Sequence, residues 1–278
     1  MTNLKRSLII AALVSGLSAV CASAQPARAD VEMWRLDCGE IHENDLNLYS
    51  DTFQYEGRQG TLTVSCYLIR NGSNYLLWDS GFPAAMIGRP TEQEGTRMSL
   101  RASIRDQLAR INVRPEQVNF VGISHYHDDH TGQAQDFPGA TLLIGPADWE
   151  VIRNRPTSAV RFQPWIAGGA TMRPVPRDLD VFGDGSVVML ATPGHTPGHH
   201  ALLVRLPRRG PVLLTGDLYH FTANYRSAGV PSFNTNRSDT LASFARFNGI
   251  ADNLRATVVI QHEIDDIAKL PAFPESAR

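Results

Sequence analysis

Long apolar runs are missing from this sequence. The longest stretch, Leu8 to Val20, falls short of the ~20 residues that a permanent span needs, so no stable membrane anchor is expected. Positive charge is not in excess either. The formal net charge of −2 gives no reason to expect a nucleic-acid partner. No repeat, coiled coil or low-complexity tract interrupts the 278 residues, which read as one α/β unit with ample apolar content for a core. Cysteine is scarce: Cys21, Cys38 and Cys66 are the three, and none falls in the histidine-rich segment that dominates the chain.

The first residues read as an export signal. Lys5 and Arg6 precede the short apolar stretch, and Ala22-Ser23-Ala24 and Ala27-Arg28-Ala29 offer small-x-small cleavage sites. A secretory signal over residues 1–29, cut after Ala24 or Ala29, leaves a domain at 30–278 in the periplasm or outside the cell. Val20, just before Cys21, is too large for a lipoprotein cleavage pattern. Cleavage after Ala24 removes Lys5 and Arg6 and takes the net charge from −2 to −4. Only Cys38 and Cys66 then remain, in strand-like runs that would suit sheet neighbours. An oxidising compartment permits a disulfide between them, but Cys is also a common buried small apolar residue, and that reading is preferred here.

The chemistry is concentrated in Ser124-His-Tyr-His-Asp-Asp-His130. His125 and His127, two apart, can be aimed at one ion by an extended or looped backbone, and Asp129 and His130 then turn toward a second. The preceding Val118 to Ser124 is apolar and β-prone, which places the cluster in a loop leaving a buried strand, where catalytic groups commonly sit. His195, Asp217 and His262 each follow a short apolar strand candidate, so a sheet can gather them despite their separation. Five imidazoles and two carboxylates suit zinc and its first-row neighbours.

Along the exported chain, strands are expected at 32–40, 62–70, 74–79, 118–124, 141–144, 187–191, 200–206, 211–216 and 257–261. Leu100, Ile104, Leu108 and Ile111 predict a helix over 98–111, and Ser238 can cap another that runs to Leu254. Residues 152–178, rich in Pro, Arg and Gly, are expected to wrap the surface. Strands then helix, twice over, fit an αβ/βα sandwich with the site at one sheet edge.

His125-x-His127-x-Asp129-His130, His195 in Pro-Gly-His-Thr-Pro-Gly-His, Asp217 in Gly-Asp, His262, and Trp78-Asp79-Ser80-Gly81 together resemble the metallo-β-lactamase-fold hydrolases. Among these the chain resembles the N-acyl-homoserine lactonases, from about Val31 onward. The resemblance implies a four-layer αβ/βα sandwich and two divalent metal ions, Zn2+ by preference. It places His125, His127 and His195 on one ion and Asp129, His130 and His262 on the other. Asp217 would bridge the two, and Asp79 would support the ligands from behind. It also implies a small-molecule lactone substrate attacked by water acidified between the ions, with Asp129 able to relay a proton. The oligomeric state is left open.

One departure stands out. Homoserine lactonases of this fold place a Tyr three residues after the bridging Asp; here that position is His220, with Tyr219 one step earlier. Either can be the donor to the substrate carbonyl, or the ions alone can do that work. His199 reads as structural, His200 as surface and His42 as solvated. Phe82, Met86, Ile87, Trp165, Ile166, Phe221 and Phe233 lie in expected loops, where they can line an acyl-chain pocket or simply pack.

Related chemistries of the same fold are weighed by what the chain contains. Glyoxalase-type thioesterases add a C-terminal substrate domain, whereas only sixteen residues follow His262. RNA-processing relatives carry further elements not seen here. Zinc β-lactamases of the third subclass lack an acidic bridge at the Asp217 position. Organophosphate hydrolases keep that bridge and stay open as an alternative, as does a non-catalytic metal-binding role.

Overall fold

Alternation along the first strand sets the architecture. In Val31–Glu43 (β1), Val31 and Met33 enter one apolar layer while Trp34 and Leu36 enter another. Gly60–Asn71 (β2) divides in the same way, with Tyr67 and Ile69 on one face and Cys66 and Leu68 on the other. Both strands are therefore covered on both sides. The computed structural model describes residues 30–278; the expected signal at 1–29 lies outside them.

Asn74–Trp78 (β3), Thr91–Gln93 (β4), Thr96–Ser99 (β5), Val118–Gly122 (β6), Thr141–Ile144 (β7) and Met172–Pro174 (β8) complete a mixed sheet in the order β4-β5-β1-β2-β3-β6-β7-β8. β1 and β2 pair antiparallel from Val31 opposite Asn71 to Glu43 opposite Gly60, with an irregularity between Asp37 and Gly39. β3, β6, β7 and β8 run parallel. The second sheet is built from Leu179–Asp180 (β9), Val187–Ala191 (β10), His200–Leu206 (β11), Gly210–Leu214 (β12) and Thr257–Val259 (β13), in the order β13-β12-β11-β10-β9.

Three apolar layers join four structural ones. Between the sheets, Met33, Ile69 and Trp78 meet Val187, Leu202 and Leu214. Outside the first sheet, Leu36, Leu68 and Leu77 pack with Leu108 of α1 (Ile104–Arg110) and share a core cluster with the residues that follow β7. Outside the second, Leu203 and Leu213 pack with Phe244 and Phe247 of a long helix, Arg237–Leu254. The result is the expected αβ/βα sandwich in a single domain. Among the described residues no helix is long and apolar enough to cross a membrane.

Three local expectations need correction. The helix expected at 98–111 starts only at Ile104, because Thr96–Ser99 pairs with β1; Ser103 caps it by accepting the Asp106 N–H at 3.0 Å. The long helix starts at Arg237, capped by Asn236 rather than Ser238. Residues 152–178 are more than a surface wrap. After a four-residue turn, α2 (Asp128–Thr131), the chain forms α3 (Pro146–Asn154), α4 (Pro156–Ala159) and α5 (Gln163–Ile166), followed by β8. Pro146, Pro156 and Pro164 sit in first helical turns, where a missing N–H costs little, and Phe162 and Trp165 are buried. Helix α6 (Thr222–Ser227) then precedes the long helix, α7.

Cys38 and Cys66 form a disulfide, with Cα atoms 5.8 Å apart. Cys38 is the extra residue at the β1 irregularity, which frees it from the ladder register beside Cys66.

Candidate metal centre

The seven residues singled out in the sequence converge at one edge of the sandwich. His125 and His127 follow β6, with His127 leading into α2, which carries Asp129 and His130. His195 follows β10, Asp217 follows β12 and His262 follows β13. They fall into two donor groups: His125, His127, His195 and Asp217 in one, Asp129, His130 and His262 in the other.

In the first group His195 Nε2 lies 3.3 Å from His125 Nε2 and 3.1 Å from His127 Nδ1. In the second, Asp129 Oδ2 lies 3.4 Å from both His130 Nε2 and His262 Nε2. A tetrahedral site with bonds of about 2.0–2.1 Å spaces its donors roughly 3.3 Å apart, so both groups fit a zinc-sized cation. Asp217 divides its carboxylate between them. Oδ1 lies 3.1 Å from His130 Nε2 and 3.0 Å from His262 Nε2, while Oδ2 lies 3.4 Å from both His125 Nε2 and His195 Nε2. Oδ1 is buried without a hydrogen-bond partner, which is the state of an oxygen built to meet a cation.

Electrostatics follow from this crowding. Burial, reinforced by neighbouring imidazoles, holds His125 well below its ordinary 6.5 and His127 at about 3, so both present the neutral form that binds metal. Burial pulls His130 and His262 down too, but the Asp217 and Asp129 carboxylates outweigh it and raise both. Burial raises Asp129 and Asp217, and the surrounding imidazoles more than reverse it, leaving both carboxyls lowered.

A second ring of contacts fixes these side chains. Asp79, at the end of β3, accepts the Ser124 N–H at 2.7 Å through Oδ1; its Oδ2 lies 2.9 Å from His130 Nδ1. Gln261, unremarked in the sequence, donates to that same Oδ2 at 2.9 Å and accepts the Trp78 indole N–H at 3.2 Å and the Gly216 N–H at 3.0 Å. His262 Nδ1 reaches the Thr63 carbonyl at 2.8 Å. Such partners orient ligating imidazoles. The His195 loop is tied to the start of α7: Thr235 N–H donates to the His195 carbonyl at 3.1 Å, Asn236 N–H to the Gly194 carbonyl at 2.8 Å, and Ser243 Oγ to the Pro193 carbonyl at 2.7 Å. Gly194 (φ +137°) allows that approach, since a Cβ there would sit 2.3 Å from Thr240 N.

Over the centre opens a cavity of about 210 Å³. Its polar floor includes His127, Asp129, Asp217, His220 and His262, and its walls include Ile41, Tyr49, Phe82, Met98 and Phe233. The register explains one wall. Ile41 stands opposite Met98 and Glu43 opposite Thr96, so alternate residues of β1 and β5 face the cavity together.

A model of the metallo-beta-lactamase superfamily matches residues 60–262. The chain belongs to that superfamily. Among curated relatives of this superfamily member, the N-acyl homoserine lactonase AttM of Rhizobium radiobacter is 33% identical, over 88% of this chain and 98% of the relative. A solved N-acyl homoserine lactone hydrolase with N-hexanoyl-L-homoserine at its catalytic metal centre superimposes with a TM-score of 0.75 at 22% identity, covering 88% of this chain and 98% of that one. AidC, a dizinc quorum-quenching lactonase, gives 0.64 at 17% identity, with 89% and 90% covered.

Within this superfamily fold the two donor candidates separate. Tyr219 is fully buried in the layer under α7, stacked on Phe244 at 4.3 Å and donating to Asn248 Oδ1 at 3.1 Å, so it does not reach the cavity. His220 does, with Nε2 3.1 Å from Asp217 Oδ2 and its ring 4.9 Å from that of Tyr49. Burial lowers His220 to about 4 against the pull of Asp217, which keeps the ring neutral.

His200 is a correction: expected at the surface, it is buried, with Nδ1 2.8 Å from the Gly198 carbonyl, because both faces of the second sheet are covered. His199 is structural, its Nε2 accepting the Asp217 N–H at 3.0 Å, and His42 is exposed. Of the loop apolars, Phe82 and Phe233 line the cavity. Trp165 packs on Phe162, Phe221 packs on Tyr49 and Tyr55, Met86 leans on the first core, and Ile87 and Ile166 are partly exposed. Tyr49 and Glu43 escaped the sequence reading. Burial, then the charges of Glu43, Asp129 and Asp217, hold the Tyr49 phenol well above 10, so it stays a donor.

Proposed function

We propose that this chain is a dinuclear metal hydrolase that opens the ring of N-acyl homoserine lactones and acts after export from the cytoplasm. The observation that carries the reading is the divided carboxylate of Asp217, one oxygen toward each donor group. The AttM relative supports the substrate class. Both donor groups fit zinc, and bound divalent ions supply Lewis acidity and an acidified water.

His125, His127 and His195 would hold one ion, Asp129, His130 and His262 the other, and Asp217 would serve both. The ring enters with its ester toward the polar floor and the acyl chain along Phe82, Met98 and Phe233. His220 Nε2, 3.1 Å from Asp217 Oδ2, is placed to share its one N–H between that carboxylate and the ester carbonyl as charge develops there. Asp129, partly exposed to the cavity, is placed to pass a proton toward the leaving oxygen. Water adds across the acyl–oxygen bond, which breaks to leave a carboxylate, a hydroxyl and one proton. The disulfide and the basic, apolar, small-residue pattern of residues 1–29 support export.

The test is a weakly buffered N-acyl homoserine lactone solution, which should acidify when enzyme is added, the product re-forming lactone when later made strongly acidic. Release of fatty acid and intact homoserine lactone would overturn ring opening. Faster turnover of a phosphotriester than of any lactone would reassign the substrate.

A further inference from the structure

Among the described residues two glutamates are deeply buried, and Glu43 is the one with no basic partner. The other, Glu32, is paired with Arg70 and Arg278. Glu43 is 5% exposed and, among the described residues, meets only neutral hydroxyls: Tyr49 Oη donates to Oε1 at 3.2 Å, and Thr96 Oγ1 donates to Oε2 at 2.7 Å. Burying a carboxylate without a cation is costly. A glutamine could meet both hydroxyls without the cost of a buried charge, and a strand interior would favour an apolar residue, so fold stability does not account for this side chain. Each of its oxygens has one donor and capacity for another. The side chain lines the same cavity as Asp129, Asp217 and His220, on the wall made by β1 and β5.

We propose that Glu43 is the specificity residue that accepts the amide N–H joining the acyl chain to the lactone ring. The inference rests on the lactonase reading and names what within that substrate the cavity recognises. Ile41 and Met98, which flank Glu43 and Thr96 on the same wall, then take the apolar atoms on either side of the amide. The carboxylate has a second effect. Ring opening creates a new carboxylate in the cavity, and a fixed negative wall disfavours it, so the same residue that selects a neutral amide substrate hastens departure of an anionic product.

The experiment compares an N-acyl homoserine lactone with a γ-alkyl butyrolactone of matched chain length, which has no N–H, at equal metal loading. In Glu43→Leu the KM for the amide substrate should rise about tenfold or more with kcat little changed, as expected for loss of a hydrogen bond to a charged acceptor. The γ-alkyl lactone should be turned over as before. Glu43→Gln keeps an oxygen acceptor but no charge, so it should restore most of the KM while the ring-opened product inhibits several-fold more strongly. The inference is overturned if both variants keep the wild-type ratio of kcat/KM for the two lactones. Should Glu43→Leu not fold, Glu43→Met at equal metal loading takes its place, and a wild-type ratio of kcat/KM for the two lactones in that variant overturns the inference alone. A wild-type enzyme that opens neither lactone removes the lactonase reading itself, an outcome separate from either of these.

Discussion

His199 Nε2 accepts the backbone N–H of Asp217 at 3.0 Å, so an imidazole outside both donor groups holds the residue that joins them. The other ring nitrogen, Nδ1, lies 3.1 Å from the Thr192 carbonyl and must carry the proton. His199→Ala leaves a buried N–H unpaired, at a cost of about 1–3 kcal/mol. Thermal unfolding should show that loss, and metal analysis after dialysis should show fewer ions retained than in the wild type. Unchanged metal retention would mean that Asp217 does not depend on this contact.

Acid should unfold the protein partly through the same histidine. Burial, with the neighbouring His195, holds His199 well below 6.5, so between its folded value and about 6.5 the unfolded chain binds a proton that the folded chain refuses. Stability from this group is therefore complete above about pH 6.5 and is lost as pH falls. Denaturant unfolding of chelated protein from pH 7 to 5 should slope downward. His199→Gln should flatten that slope by up to one proton, about 1.4 kcal/mol per pH unit. A variant with the wild-type slope would refute the assignment.

Purified protein should hold about two metal equivalents per chain, with activity lost to a chelator and restored by zinc. Asp217→Asn should bind the pair more weakly and lower turnover severely, because an amide brings no negative charge between two cations. Full activity from a preparation saturated with one ion would contradict the dinuclear centre.

His220→Ala should lower turnover on the order of a hundredfold if its N–H meets the ester carbonyl. Tyr219→Phe should leave turnover unchanged and cost about 1 kcal/mol of stability through its lost bond to Asn248. Equal loss in both variants, at matched metal content, would remove the special place given to His220.

The Cys38–Cys66 bond spans 28 residues, which in the chain-entropy account is worth about 3–4 kcal/mol. A Cys38→Ala, Cys66→Ala double variant should unfold at correspondingly lower denaturant, and reductant should destabilise the wild type but not the variant. Identical midpoints would show that β1–β2 pairing already confines this loop in the unfolded chain.

The donor residues were legible because four of them are nearly contiguous and the other three each end an apolar strand, a pattern that survives without knowledge of the contacts. What the chain hid is physically different. Thr91–Gln93 is wholly exposed and polar, so no alternation marks the hairpin that supplies the Thr96 and Met98 wall. Leu100, Ile104 and Leu108 share helical spacing, yet Leu100 is buried from outside the helix, and spacing alone cannot distinguish the two. Pro156 and Pro164 read as breakers although each opens a helix. Glu43 and Gln261 look like ordinary polar residues, and only the fold shows how deeply each is buried.

The ties between the His195 loop and the start of α7 divide the cavity into walls of unequal freedom. Phe233 lies just before Thr235 and Asn236, whose amides hold the His195 and Gly194 carbonyls. Remodelling that rim by insertion or deletion would therefore drag His195 with it. Ile41 and Met98 hang from β1 and β5, which carry none of the seven donor residues, so under the proposed function that side of the cavity is where descendants of this chain can trade one acyl group for another while the polar floor stays still.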